Sequence, residues 1–393
     1  MSSNKISTLA YVVDTIGAPF TLRRVVLDDL QLNEVLVEMQ YTGLCHTDLV
    51  VQKGGMPCGS FPCVLGHEGL GVVKNLPDTH STTPLSEHTL KLGDTVVLSF
   101  RTCQQKTCLA CQTGHSGRCP QMTSFNFLQS RLTPSQNVNA TPITLPDGTP
   151  VHGQFFGQSS LSKLAVVDRR SCVKIASDIP PPELAFLAPL GCGYLTGAGT
   201  ILNVLKPEKS TKLAILGVGA VGLAALLAAK ALGVREVIAV DMVGSKLDLA
   251  RSFGASYTIN TRDVPDLEAV IQGVFPEGVD QILDTTGVTA LLQSSVKVLN
   301  HAGVLALVGV PRPGQVLEVD PLDLLLYCKR IVGVIEGNAQ PMKLIPQLVE
   351  WYRAGKFPVE RIATVYPASK LGEALDALEA GKVIKPVISW TDV

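Results

Sequence analysis

Blocks of like charge are missing from this chain. No run of five or more acidic or basic residues occurs, and 33 basic residues against 34 acidic ones leave a net charge of −1. A global field that recruits nucleic acid or an anionic membrane is therefore excluded, as is a charged interaction tail. Charge of either sign is scarce, 17% of residues beside 46% hydrophobic, where an average soluble chain carries about 25% charged residues. Such a balance excludes disorder and describes a body with much buried apolar area. Met1 to Phe20 lacks a basic start followed by a short apolar core, and Trp390 to Val393 carries no receptor-read targeting signal, so the expectation is a cytoplasmic protein. Leu213 to Ala229 is uncharged, but Gly217, Gly219 and Gly222 interrupt it and its 17 residues fall short of a bilayer span. It predicts a buried strand running into a buried helix. There is no internal repeat and no low-complexity tract.

A length of 393 residues implies two or three domains at about 150 residues each. From Ala10 to about Val173, short apolar runs broken by Gly, Pro, Asp and Thr have the texture of a β-rich domain with long loops. Pro77–Lys91 and Leu128–Pro150 are rich in Thr, Ser, Pro and Asn and read as exposed insertions. From Pro180 onward, strand-like runs (Lys212–Leu216, Val237–Val240, Gln281–Leu283, Val304–Val308) alternate with helical patterns. That alternation predicts βαβ units around a parallel sheet, an α/β fold.

Gly217-Val-Gly219-Ala-Val-Gly222 follows an apolar strand and opens a helix. Gly217 permits the tight turn, Gly219 lets a pyrophosphate approach the backbone, and Gly222 lets the helix pack closely on the sheet, its free N–H groups facing the phosphates. Glycines also occur in close-packed interiors. Here a second strand ends in Asp241, 19 residues beyond Gly222, where a carboxylate can accept bonds from an adenosine ribose. A 2′-phosphate beside it would be repelled, which predicts NAD over NADP, although Arg235 and Lys246 are close in sequence.

Ten cysteines in a chain without a secretion signal do not read as a disulfide framework. Their placement points to two metal sites. The first is dispersed: Cys45-His46-Thr47-Asp48, Gly66-His67-Glu68-Gly69 and Gly191-Cys192-Gly193. Thiolate and imidazole suit Zn²⁺, and three protein ligands leave a fourth position open. Singly, a buried Cys or His is more often a core residue; together, flanked by glycines, they read as a site. The second is local: Cys103, Cys108, Cys111 and Cys119 fall within 17 residues and could enclose a structural zinc, the plainer alternatives being two disulfides or free thiols.

Cys45-His-Thr-Asp, Gly66-His-Glu-Gly-Leu-Gly71, the four-cysteine segment, Gly191-Cys-Gly-Tyr-Leu-Thr-Gly and the glycine turn resemble, in order and spacing, the zinc-dependent medium-chain alcohol dehydrogenases. Phe155-Phe-Gly-Gln-Ser-Ser160, Ile335-Glu-Gly-Asn-Ala-Gln-Pro341 and Gly355-Lys-Phe-Pro358 are most similar to the benzyl (aryl) alcohol branch. The resemblance implies a β-rich, GroES-like catalytic domain (1–190 and 338–393) and a doubly wound Rossmann domain for NAD (191–337). It implies catalytic zinc on Cys45, His67 and Cys192, with Glu68 as an occasional ligand, and a second zinc on Cys103, Cys108, Cys111 and Cys119. Asp48 would hold a zinc-binding imidazole and Thr47 would pass the substrate proton outward. His46 and Lys385 would lie at the pyrophosphate, Lys246 with Asp241 at the ribose, and Phe100 in the substrate cleft. Backbone around Val308, Val310 and Ile335 would hold the carboxamide.

Three departures stand out. Val50 occupies the position of the proton-relay histidine of the family's best-known members, so the proton would leave through water beyond the ribose. Cys103 and Cys108 are separated by four residues rather than two, and Pro77 replaces a common glycine. The implied activity is hydride transfer between NAD(H) and a primary aryl or allylic alcohol and its aldehyde, by a homo-oligomer, dimer or tetramer, with no nucleic-acid or membrane partner. The rivals are a zinc-free enone or quinone reductase and a non-enzymatic dinucleotide-binding protein. No role is evident for Cys58, Cys63, Cys172 or Cys328.

Overall fold

The computed structural model describes residues 5–77, 90–132 and 140–393. They form two compact units: one holds the chain up to Cys192 with Gln340–Glu350 and Val359–Val393, the other Gly193–Ala339 with Trp351–Pro358. Residues 351–358, expected in the catalytic domain, thus join the second unit, where Phe357 is buried and meets the Tyr194 ring edge-on at 6.4 Å.

The first unit is built on two largely antiparallel sheets. One runs in the order Cys63–Val64, Ile6–Val13, Thr21–Leu27, Ile143–Thr144, Pro150–Val151. The other runs Cys172–Lys174, Thr95–Leu98, Gly69–Asn75, Glu34–Gly43, Lys385–Ser389, Ala363–Pro367, with Leu164–Asp168 also paired to Glu34–Gly43. Val35, Val37 and Met39 are fully buried at alternate positions of the strand Glu34–Gly43, as the period of two requires. This strand matters for function because it delivers Leu44 and Cys45 at its end.

Most of Pro77–Lys91 lies outside the described residues. The described parts of Leu128–Pro150 are only partly the exposed insertion that composition predicted: Pro146–Pro150 is exposed, but Ser130, Arg131 and Thr141–Ile143 are buried. Arg131 is buried and reaches Glu34 (2.8 and 2.9 Å) and Asp28 (2.7 Å), and Ile143–Thr144 is a sheet strand. Beside it the fully buried Arg101 donates to Gln154, Asp168 and the carbonyls of Phe125, Gln129 and Ser130. These polar residues point inward because each guanidinium finds carboxylates and carbonyls there, a condition that composition does not reveal.

The second unit carries a six-stranded parallel sheet, numbered here within that sheet: β1 (Leu213–Leu216), β2 (Val237–Asp241), β3 (Tyr257–Asn260), β4 (Val279–Asp284), β5 (Leu299–Leu307) and β6 (Arg330–Gly333). Their order is β3-β2-β1-β4-β5-β6, so the winding reverses between β1 and β4, where this class of fold binds its ligand. The uncharged stretch is β1 followed by the helix Ala220–Ala231, with all of β1 and Gly222–Ala229 buried. A strand and helix covered on both sides read as one continuous apolar run. No single helix among the described residues is long and apolar enough to cross a membrane.

Candidate active site

Three segments distant in sequence bring Cys45, the neighbours His67 and Glu68, and Cys192 together, one ligand atom from each lying within 4.8 Å of the others. Cys45 is the residue preceding the helix His46–Gln52, and Asp48 caps it: the carboxylate accepts from the Cys45 backbone N–H at 3.2 Å. The other oxygen of Asp48 accepts from Gly66 N–H and lies 3.0 Å from His67 Nδ1. One buried carboxylate therefore fixes two ligands and the tautomer of the imidazole. Three glycines make the approach possible. A Cβ on Gly43 would lie 2.1 Å from the Glu68 carboxylate, one on Gly191 would lie 1.9 Å from the Leu98 carbonyl, and Gly66 has φ of +89°.

His67 Nε2 is buried and makes no hydrogen bond. An orphaned imidazole nitrogen beside two thiols is the donor set of zinc rather than of a hydrogen-bonded core, so the residues fit the metal. The Cys45 thiol is held well below its usual range, first by a hydrogen bond from Cys192, against the opposing effect of burial. The Cys45 thiol donates to the Thr47 hydroxyl at 3.7 Å. His46 is exposed at the helix start.

Lys385 is placed differently from expectation. It is 3% exposed and donates to the Leu44 carbonyl (3.0 Å) and both Glu68 oxygens (2.9 and 3.0 Å). With its three donors used, the ammonium balances Glu68 rather than facing a phosphate. Burial works against its charge, but Glu68 and then Cys45 hold its pKa above the ordinary lysine range; burial raises that of Glu68.

Sequence reasoning missed the shell around His67. Its ring stacks on Phe156 at 4.6 Å and meets Phe155 edge-on at 5.7 Å, with Phe127 packed on both phenyl rings. Phe156 sits at φ of +53°, strained for a side chain of that size. Gln158 holds the same turn, donating to the His67 carbonyl at 2.9 Å and accepting from Gly69 N–H at 3.0 Å. The run Phe155–Ser160 was noticeable only as a family likeness. Phe100 is buried and lines a cavity that includes none of the four clustered residues.

Cys103, Cys108, Cys111 and Cys119 also form a cluster within 4.8 Å. The sulfurs of Cys103 and Cys111 are 3.7 Å apart, near the roughly 3.8 Å between two sulfurs each about 2.3 Å from one tetrahedral zinc and far beyond a disulfide bond. All ten cysteines are free thiols. A bond from the Cys111 backbone pulls the Cys108 thiol down to about 7, and burial pushes Cys103 up to about 12.

In the second unit Gly217 has φ of +82°, a Cβ on Gly222 would lie 1.9 Å from the Gly217 carbonyl, and Gly219 faces open space. Asp241 accepts from the Val218, Met242 and Val243 N–H groups, so its carboxylate also pins the glycine turn. Lys246 is half-buried on the next helix. Val308 N–H donates to the Asp284 carbonyl, while Val310 and Ile335 are about half exposed.

The sequence matches the model of the alcohol dehydrogenase GroES-like domain over residues 31–177 and that of the zinc-binding dehydrogenases over residues 220–353. It is 37% identical over 383 residues to geraniol dehydrogenase of Castellaniella defragrans, covering 98% of each chain. The chain belongs to the medium-chain, zinc-dependent alcohol dehydrogenase family. Benzyl alcohol dehydrogenase of Acinetobacter calcoaceticus superimposes with a TM-score of 0.87 at 36% identity, covering 98% of this chain and 99% of the other. A zinc-binding alcohol dehydrogenase protein of Burkholderia ambifaria gives 0.89 at 35% with the same coverage. In this alcohol dehydrogenase, as in its family, the GroES-like unit is the zinc-binding part, the parallel sheet belongs to a Rossmann-type domain, and zinc and a nucleotide are the bound groups.

Proposed function

We propose that this alcohol dehydrogenase interconverts primary aryl or allylic alcohols and their aldehydes, with NAD(H) as the hydride carrier and two zinc ions per chain. The observation that carries the reading is the convergence of the Cys45 and Cys192 sulfurs on the orphaned, buried His67 Nε2. When bound, zinc supplies a Lewis acid that makes an alcohol O–H acidic near neutral pH, and NAD supplies the hydride acceptor. Asp48 keeps a proton on His67 Nδ1 so that Nε2 presents a lone pair. The Thr47 hydroxyl passes the alcohol proton outward, and with Val50 in place of a histidine the proton goes on through water. Lys385 neutralises Glu68, which keeps that carboxylate a reserve ligand rather than a competitor.

The aryl or allylic preference is supported by the benzyl alcohol and geraniol dehydrogenases among the relatives and by the apolar rings of Phe127, Phe155 and Phe156 around His67. Asp241 at the end of β2 supports NAD over NADP. The second zinc is assigned to the Cys103–Cys119 cluster, and the free thiols fit a cytoplasmic address. For the partner we choose a second copy. The helix Pro321–Leu326 buries none of its residues, Leu322, Leu325 and Leu326 are 58%, 71% and 62% exposed, and the neighbouring β6 is the edge of the parallel sheet. An apolar patch beside a sheet edge is a natural interface between copies. Light scattering should report a dimer or tetramer, and a monomer would remove this partner.

Steady-state assay with benzyl, allylic and aliphatic alcohols, each with NAD and NADP, tests the catalytic reading. Aliphatic alcohols turned over as efficiently as aryl ones, or equal efficiency with both nucleotides, would overturn the respective choice. Activity that survives complete zinc removal would overturn the mechanism.

A further inference from the structure

The end of β4, where the winding of the parallel sheet reverses, carries a buried carboxylate unrelated to the metal donors. Asp284 is fully buried, and no cation pairs with it among the described residues. Such a group is costly unless donors surround it. Here they come from its own turn: Oδ1 accepts from the Thr286 N–H at 3.0 Å and the Thr286 hydroxyl at 2.6 Å, and Oδ2 accepts from the Gly287 N–H at 2.9 Å. The main-chain carbonyl of Asp284 accepts from the Val308 and Gly309 N–H groups at 2.9 and 3.1 Å. The turns after β4 and β5 are thereby joined with no space between them. Gly287 has φ of +64°, a Cβ on it would lie 2.5 Å from the Val310 carbonyl, and one on Gly309 would lie 2.2 Å from the Gly287 nitrogen.

Thr285 ties the same turn to the other side. Its hydroxyl donates to the Leu216 and Gly217 carbonyls at 2.9 and 2.8 Å, which fastens β4 to the glycine turn after β1. In a sheet of this order each half of a dinucleotide lies over one half of the sheet. With the phosphates at the glycine turn and Asp241 at the end of β2, the adenosine half falls over β1 to β3. The nicotinamide half then falls over the ends of β4 to β6, where Asp284 shapes the backbone. An asparagine there could accept through one oxygen only, and its NH₂ group would face a backbone N–H of Thr286 or Gly287. A plainer possibility is that Asp284 merely stabilises the fold.

On the reading of NAD(H) as the hydride carrier, we infer that Asp284 is a positioning residue for the nicotinamide half of the nucleotide. Its carboxylate and carbonyl set residues 285–288 and 308–310, against which that half rests.

Calorimetric titration of the zinc-loaded enzyme with NAD and with ADP-ribose, which keeps the adenosine and both phosphates but lacks the nicotinamide, tests this role. Asp284→Asn should weaken NAD by about tenfold or more and leave ADP-ribose within about threefold of wild type. Thr286→Val removes one donor and keeps the carboxylate; it should shift NAD in the same direction by a smaller factor, and it carries the test where Asp284→Asn does not fold. Thr285→Val, which loosens the glycine turn, should weaken both ligands in parallel. Equal losses of NAD and ADP-ribose in the Asp284 and Thr286 variants would reduce Asp284 to a fold-stabilising residue, and unchanged NAD affinity would remove it from nucleotide binding; either result overturns the inference. A loss confined to NAD in Thr285→Val would overturn it too, since the discrimination would not come from Asp284. If the wild type binds NADP more tightly than NAD, the choice of nucleotide fails, and the same variants titrated with NADP and 2′-phospho-ADP-ribose decide the role of Asp284 separately.

Discussion

The two candidate metal clusters of this enzyme use similar donors but are built in opposite ways. Cys103, Cys108, Cys111 and Cys119 come from one short segment whose only regular pieces are the four-residue helix Leu109–Gln112 and the turn Ser116–Arg118, and Cys108 and Cys111 are only half-buried. Cys45, His67 and Cys192 come from three places along the chain and meet in the interior. They are held by Asp48, by glycines at 43, 66 and 191, and by the Glu68–Lys385 pair. A local cage gains its order largely from the ion it encloses, whereas a dispersed site must be preorganised by packing before any ion arrives. Removing zinc should therefore loosen the lobe and leave the geometry of the catalytic donors nearly intact.

The largest expected effect is on the dispersed site. Cys45→Ser should lower kcat/KM by more than about a thousandfold and remove one of two zinc ions, while nucleotide affinity, measured by titration, stays within about threefold. Turnover near the wild-type rate would remove the metal from the mechanism. Next is preorganisation: Asp48→Asn should weaken the catalytic zinc by about 10- to 100-fold in a chelator competition, because the His67 ring loses its anchor, and the lobe zinc should be unaffected. A parallel loss from both sites would show that the two are not independent. Cys108→Ser should instead remove the lobe zinc and lower the unfolding temperature, with kcat/KM within about threefold of wild type; a collapse of activity would mean that the lobe also shapes the catalytic donors.

The smallest effect is on the scaffold of the dispersed site under acid. Burial, with the Arg101 guanidinium adding to it, pushes the His152 imidazole down to about 4, and His152 Nε2 has no partner. His152 is bonded through its backbone to Pro62 and Val64, just before the segment that carries His67. Since the folded pKa lies below the unfolded value of about 6.5, this residue contributes full stability above about pH 6.5 and loses it as pH falls towards 4, by roughly 3 kcal/mol. Denaturant midpoints of the wild type and His152→Gln, compared at pH 7 and 4.5, should converge at the lower pH. An unchanged gap would exclude His152 from the acid limb.

Both clusters were recognisable as patterns before folding was considered, but unequally. The lobe is legible because its spacing alone puts the sulfurs within reach. The dispersed site was legible through glycine-flanked ligands, yet the features that hold it were not. Lys385 is 317 residues from Glu68, and only the family resemblance gave it a role, at the pyrophosphate. Asp241 was read as a ribose acceptor, while the folded chain also engages its carboxylate with the Val218 N–H. Leu128–Pro150 looked like surface because its composition is polar, but Arg131 finds Glu34 and Asp28 inside.

Periodicity, glycine placement and the order of soft donors are properties of neighbours along the chain, and they were enough to determine the α/β class, the glycine turn after β1 and which cysteines and histidine would cluster. Which charge answers which, and which rings press on the imidazole, was decided only when distant segments met. A buried ammonium, guanidinium or carboxylate is tolerated solely where its partner already stands, and no stretch of sequence contains that partner's position.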